Sequence, residues 1–177
     1  MQELVIRIRE NEDESAFNEL YEGYAHKFFQ FAQSFVGERE IAEEIVNDVL
    51  VKLWMERNKN LHIKNMQVYL YASIKNGCLN HLRSVSSKKN NEIKVTEAYY
   101  FHLSIDPSQI LISKELSDNM LKAINELPAR CKLIFKMVKE DDLSCKEVAT
   151  ILGLSDKTVF AQLSIALKKL DSAIHSK

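Results

Sequence analysis

The chain has 177 residues, of which 46% are apolar, with four glycines, two prolines and a net charge of −1. That apolar share suffices for one medium core or two small ones, the scarcity of helix breakers favours an all-α fold, and near neutrality argues against binding a polyanion through bulk charge. The most apolar run, FFQFAQSFVG, is interrupted by Gln30 and Gln33 and falls short of the roughly 20 apolar residues of a membrane helix.

The N-terminus MQELVIRIRE carries acids and bases early and lacks a signal-peptide core, which predicts a cytoplasmic protein with no membrane insertion. Leu4 to Arg9 reads as a short first helix. Asp13 then caps a long amphipathic pattern through Phe17, Leu20, Tyr21, Tyr24, Phe28, Phe31, Ala32 and Phe35, which ends at Gly37. A third helix is expected from Arg39 to Arg57. A polar connector, NKNLHIKN, leads to a fourth from Met66 to Ser86.

The segment from Ser84 onward, SVSSKKNNEIKVTEAYYFHLSI, loses helical periodicity. Some twenty residues without it are unusual inside a compact domain and ordinary for a linker. YYFHLSI is a candidate short strand, but the sequence offers it no partner strand. Helix resumes at Asp106-Pro107, with Asp as N-cap and Pro in the first turn. It runs to Leu127, and Pro128 opens another helix to Lys139. The expected architecture is all-α: two small helical domains, 1–86 and 107–177, joined by a flexible linker, 87–106.

Charge is unevenly spread. Residues 1–60 carry net −6, 61–95 net +5, 96–127 net −3 and 128–177 net +3. An acidic block beside two basic zones suits two partners, one basic and one a polyanion. Motifs that carry chemistry are missing. Cys78, Cys131 and Cys145 are odd in number and far apart, so they read as buried hydrophobes and not as a disulfide framework or zinc site. No HxxxH pair, Gly-rich phosphate loop or nucleophile motif occurs. No metal, no cofactor and no catalytic residue are expected.

The strongest local pattern is LSCKEVATILGLSDKTVFAQLSIALKKL, Leu143 to Leu170. Ser144 and Glu147 form a capping box, Gly153 supplies the left-handed turn, and Ser155 caps the next helix. Val159, Leu163, Ala166, Leu167, Leu170 and Ile174 make its stripe, and Ala149 is small where the two helices cross. This spacing is that of a helix-turn-helix, whose second helix enters a DNA major groove. Lys157, Ala161, Ser164, Ile165 and Lys168 point away from the stripe, with Thr158 and Gln162 on its edge. Lys157 and Thr158 suit phosphates and base edges, and Gln162 suits an adenine. Phe160 and Ile165 equally suit contact with a protein.

Two further stretches matter. In REIAEEIVNDVLVKLWMER, Ala42, Ile45, Val46, Val49 and Leu53 form a buried stripe, while Glu44, Asn47, Asp48 and Val51 lie opposite. Leu50 and Trp54 edge that polar face, which fits a protein-docking surface. NMQVYLYASIKNGCLNHLR sets Lys75, Asn76, Asn80, His81 and Arg83 among Tyr69 and Tyr71. Bases between aromatics suit single-stranded DNA, and buried tyrosines explain the pattern as well.

In combination these motifs resemble a sigma-70 family factor of the extracytoplasmic-function (ECF) group. AFNELYEGYAHKFFQFA, IAEEIVNDVLVKLW and YLYASIKNGCLNHLR resemble its first conserved domain, LPARCKLIFKM and the helix-turn-helix its second. The resemblance implies an RNA polymerase sigma factor and not an enzyme. It places Glu44, Asn47, Asp48 and Val51 on the β′ clamp helices of core RNA polymerase, with the second domain toward the β flap. It places Asn58, Lys59, Asn60, Lys75, Asn76, Asn80 and Arg83 at the −10 element of promoter DNA. It places Arg130, Ser155, Lys157, Thr158, Ala161, Gln162 and Lys168 at the −35 element. It also implies an anti-sigma factor as partner. The sequence departs from the family at Phe160, Ala161 and Ile165, where polar or basic residues are usual. A stand-alone helix-turn-helix regulator, or a helical interaction protein that has lost DNA binding, remain as alternatives.

Overall fold

The computed structural model describes residues 1–57, 63–88 and 122–175, in which every regular element is a helix. The chain divides into two compact units, residues 1–99 and 100–177. Asn58, Lys59 and Asn60, the strand candidate YYFHLSI, most of the expected linker and the first part of the helix expected from 107 lie outside the described residues.

The first unit holds α1 (Gln2–Asn11), α2 (Glu14–Val36), α3 (Arg39–Met55) and α4 (Met66–Lys88). Helix α1 extends two residues beyond the expected span at each end. The α2 start is the one expected: Asp13 Oδ1 accepts from the Ala16 amide at 3.0 Å. Gly37 ends α2 at φ 81°, a conformation open to glycine without steric penalty. Helix α3 stops two residues before Arg57. Its last turn tightens there, the Arg57 amide reaching the Trp54 carbonyl at 3.4 Å.

The core of this unit is aromatic. Tyr71 of α4 meets Phe28 and Phe31 of α2 edge-on, with ring centroids 5.1 and 4.9 Å apart. Leu20, Val46, Leu50, Leu53, Leu70 and Ile74 are buried in the same unit. Leu50, expected at the edge of the docking face, is instead buried. At 100° per residue it lies only about 40° from Val46, so it belongs to the core, while Ile45 and Val49 are half-buried.

In the second unit a helical segment at 122–125 precedes α5 (Ala129–Lys139), α6 (Cys145–Leu152) and α7 (Asp156–His175). Its core joins Ile124, Leu127, Cys131, Phe135, Ala166 and Leu170, with Leu163 packed against it. Leu167, expected on the buried stripe, is exposed. The core line runs Val159, Ala166, Leu170, and Leu167 sits about 80° off it.

Candidate functional site

The α6–α7 corner has the geometry its residues dictate. Ser144 Oγ accepts from the Glu147 amide at 3.3 Å, and Glu147 Oε2 accepts from the Ser144 amide at 2.7 Å. Gly153 ends α6 at φ 70° and ψ 39°. Ser155 Oγ accepts from the Thr158 amide at 3.1 Å and lies 2.8 Å from Thr158 Oγ1. Ala149 and Val159 are buried where the helices cross. This is a helix-turn-helix.

The corner's outward residues differ in what they offer. Lys157, Ala161 and Lys168 are exposed, so both cations are presented beside a small apolar surface. The Ser155 and Thr158 hydroxyls are engaged in the cap. Gln162 is half-buried and turned toward α5, its Oε1 accepting from Cys131 Sγ at 2.8 Å; the reading of Gln162 as a bidentate adenine contact does not match this orientation. Arg130 is half-buried in the first turn of α5. Phe160 and Ile165 are 56% and 44% exposed.

On α3, Glu44, Asn47, Asp48 and Val51 are all exposed and share the side opposite Ala42, Val46 and Leu53. Val51 is 54% exposed and Met55, one turn further, 74%. The ridge is therefore acidic at one end and apolar at the other. It is continued by α2, which sequence reasoning missed. Glu14, Phe17 and Asn18 join Val51 and Trp54 around a groove of about 260 Å³. Phe17 and Trp54 touch at 5.3 Å between centroids, and Tyr21 Oη donates to Asn47 Oδ1 at 3.4 Å. The signal was present: positions 14, 17, 18 and 21 share one helical face, but Phe17 and Tyr21 pass equally for core.

On α4, Asn76, Asn80 and Arg83 are exposed, and Arg83 Nη1 donates to Asn80 Oδ1 at 3.3 Å. Tyr69 is half-buried on the same face, whereas Tyr71 is a core residue. The supposed interleaving with aromatics therefore reduces to Tyr69 among the described residues. Lys75 is half-buried, and burial pushes its ammonium below the usual lysine range.

Sigma-70 region 2 matches residues 20–88, which span the ridge and α4, and Sigma-70 region 4 matches residues 117–170, which span the helix-turn-helix. Together the two matches cover more than two thirds of the chain. The chain belongs to the sigma-70 family. It falls in the ECF group, and its function is that of a sigma factor in transcription initiation. It is 22% identical to the ECF RNA polymerase sigma-E factor of Escherichia coli strain K12, over 98% of this chain and 93% of that one. The RNA polymerase sigma-H factor of Pseudomonas aeruginosa is similar to the same degree. Among solved structures the fold resembles the sigma factor RpoE, in complex with the anti-sigma factor NepR, from Bartonella quintana. That likeness has a TM-score of 0.55 at 22% identity, covering 89% of this chain and 96% of that one. CnrH in complex with the cytosolic domain of CnrY is similar at TM-score 0.55 and 16% identity, covering 98% and 96%. Among the described residues no group of His, Cys, Asp and Glu is placed to hold a metal ion. No described helix is long and apolar enough to cross a membrane.

Proposed function

We propose that this sigma factor holds core RNA polymerase through the α3 ridge and reads promoter DNA through α4 and α7. Glu44, Asn47 and Asp48 supply the polar part of the polymerase contact. Val51, Trp54 and Phe17 supply the apolar part, seated on the clamp helices of β′. Asn76, Asn80, Arg83 and Lys75 meet the opened −10 element. There cations hold phosphate, and each base stacked on an aromatic ring is worth roughly 1–3 kcal/mol against lost pairing. Lys157, Lys168 and Arg130 anchor the −35 duplex, and Ala161 allows a thymine methyl to approach. The second unit turns toward the β flap. The chain supplies binding and no covalent chemistry, acts in the cytoplasm, and is restrained by an anti-sigma factor.

The observation that supports this most is the exposed acidic ridge of α3, continuous with the α2 groove. Val51 and Met55 are exposed beside the groove that Phe17 and Trp54 line, and contiguous exposed apolar surface rimmed by polar groups marks interaction sites. Glu44→Lys with Asp48→Lys is expected to weaken co-purification with core polymerase at least tenfold and to abolish run-off transcription. Full-strength co-purification of that variant contradicts the reading.

A second reading, a helical interaction protein without DNA binding, is favoured by the exposure of Phe160 and Ile165. Lys157→Ala with Lys168→Ala separates the two. Unchanged promoter output supports the interaction protein, and loss supports the −35 contact.

A further inference from the structure

Helix α1 touches the chain on both sides of the connector between α3 and α4. On the α3 side, Arg57 lays its guanidinium over the Trp54 ring, 4.8 Å from the centroid. Its Nη1 donates to the Trp54 carbonyl at 2.9 Å, and its Nη2 pairs with Glu12 Oε1 at 2.7 Å. On the α4 side, the Met66 amide donates to Gln2 Oε1 at 3.4 Å. Gln2 and Glu12 stand at opposite ends of α1, which spans about 15 Å. Val5 and Ile8 bury the middle of the helix and fasten it to the unit.

Glu12 itself is unusual. It closes α1 at φ 50° and ψ 36°, a left-handed conformation that glycine or asparagine adopts more easily. A glutamate held there against its preference points to a use for the side chain. Its carboxylate is used on Arg57. The guanidinium lies between the indole, the Trp54 carbonyl and Glu12, and its Nε is buried and lacks a hydrogen-bond partner.

We propose that α1 is a brace that sets the spacing between the end of α3 and the start of α4, with Glu12–Arg57 as its latch. Glu12 and Arg57 are then positioning residues for promoter opening: they hold the register in which α4 presents Asn76, Asn80 and Arg83. The inference rests on the reading that the first unit opens the −10 element.

The test uses the full chain with core polymerase, on a promoter fragment recovered by run-off transcription from a genomic library with the wild-type holoenzyme. Opening is read by permanganate reactivity of −10 thymines, and core affinity is measured separately. Glu12→Gln and Arg57→Gln are each expected to lower the open fraction by about two- to fivefold, the range of a part-exposed ion pair; core affinity stays unchanged in Glu12→Gln, which leaves the guanidinium over Trp54 in place. The exchange Glu12→Arg with Arg57→Glu should restore at least half of the loss. Glu12→Gly should melt no lower than wild type, since it relieves the backbone, yet open as poorly as Glu12→Gln. Wild-type opening by the single variants, a parallel fall in core affinity in Glu12→Gln, or no recovery in the exchange would overturn the brace. Asn76→Ala with Arg83→Ala serves as control: if it opens normally, the −10 reading fails and the brace with it.

Discussion

Gly77 shows how one side chain sets a helix crossing. A β-carbon at this position would stand 2.8 Å from Ile45 Cγ2, so α3 and α4 approach as closely as glycine allows. Gly77→Ala should therefore destabilise the first unit by about 1–3 kcal/mol through overpacking, less the roughly 1 kcal/mol gained in helix propensity. Ile45→Ala removes the clash at its own cost in lost packing, so in that background Gly77→Ala should leave only the propensity gain, which urea denaturation of the double variant against Ile45→Ala alone checks. Asp13 makes a different kind of contribution. The Ala16 amide and then the Arg7 guanidinium hold its carboxyl below its ordinary value of 3.8. The folded state thus favours the ionised form. The stabilisation is complete above that ordinary value and is lost as pH falls through the lowered one. Asp13→Asn should match the wild type more closely in strong acid than at neutral pH, and a stability difference independent of pH would contradict this. Cys78 shows the opposite sense: burial pushes its thiol up to about 12, so it should resist alkylation in the folded chain.

The helix-turn-helix is the element on which local signals agree most closely. Capping box, left-handed glycine and second cap each fall where a short-range rule puts them. Ser144→Ala should cost about 1 kcal/mol through the lost cap. Gly153→Ala should cost about 1–2 kcal/mol, because a β-carbon is then forced into a left-handed backbone. Thermal melts of the full chain should show both losses in the transition of the second unit. Helix α3 was harder to phase. Its polar face is legible from Glu44, Asn47 and Asp48, but Leu50, expected at the edge of that face, is core. Ten apolar residues in a 17-residue helix leave the stripe centre open by a residue or two, and only the packing of its neighbours decides it.

Across the whole molecule, charge follows the proposed division of labour. The acidic first sixty residues carry the ridge, and the basic zones hold α4 and the helix-turn-helix. Few lysines face outward from α7, so the free chain should bind duplex DNA weakly and depend on polymerase for affinity. In the holoenzyme, Lys157→Ala should lower the slope of log affinity against log salt by about one, and weaken all sequences about equally. A loss confined to one base position would mean that Lys157 reads bases instead of phosphate.

By itself the sequence determined the helices of the described residues, their caps, the helix-turn-helix and the division into two helical units, because capping, glycine turns and 3.6-residue periodicity act over a few neighbours. Tertiary structure alone decided that Tyr71 is core, that Gln162 turns toward Cys131, that α2 completes the groove beside Val51, and that Glu12 reaches Arg57. Each of these joins residues distant in the chain, and a side chain's environment there is set by which face of one helix meets another. Periodicity constrains that choice to within about a turn and leaves the remainder to packing.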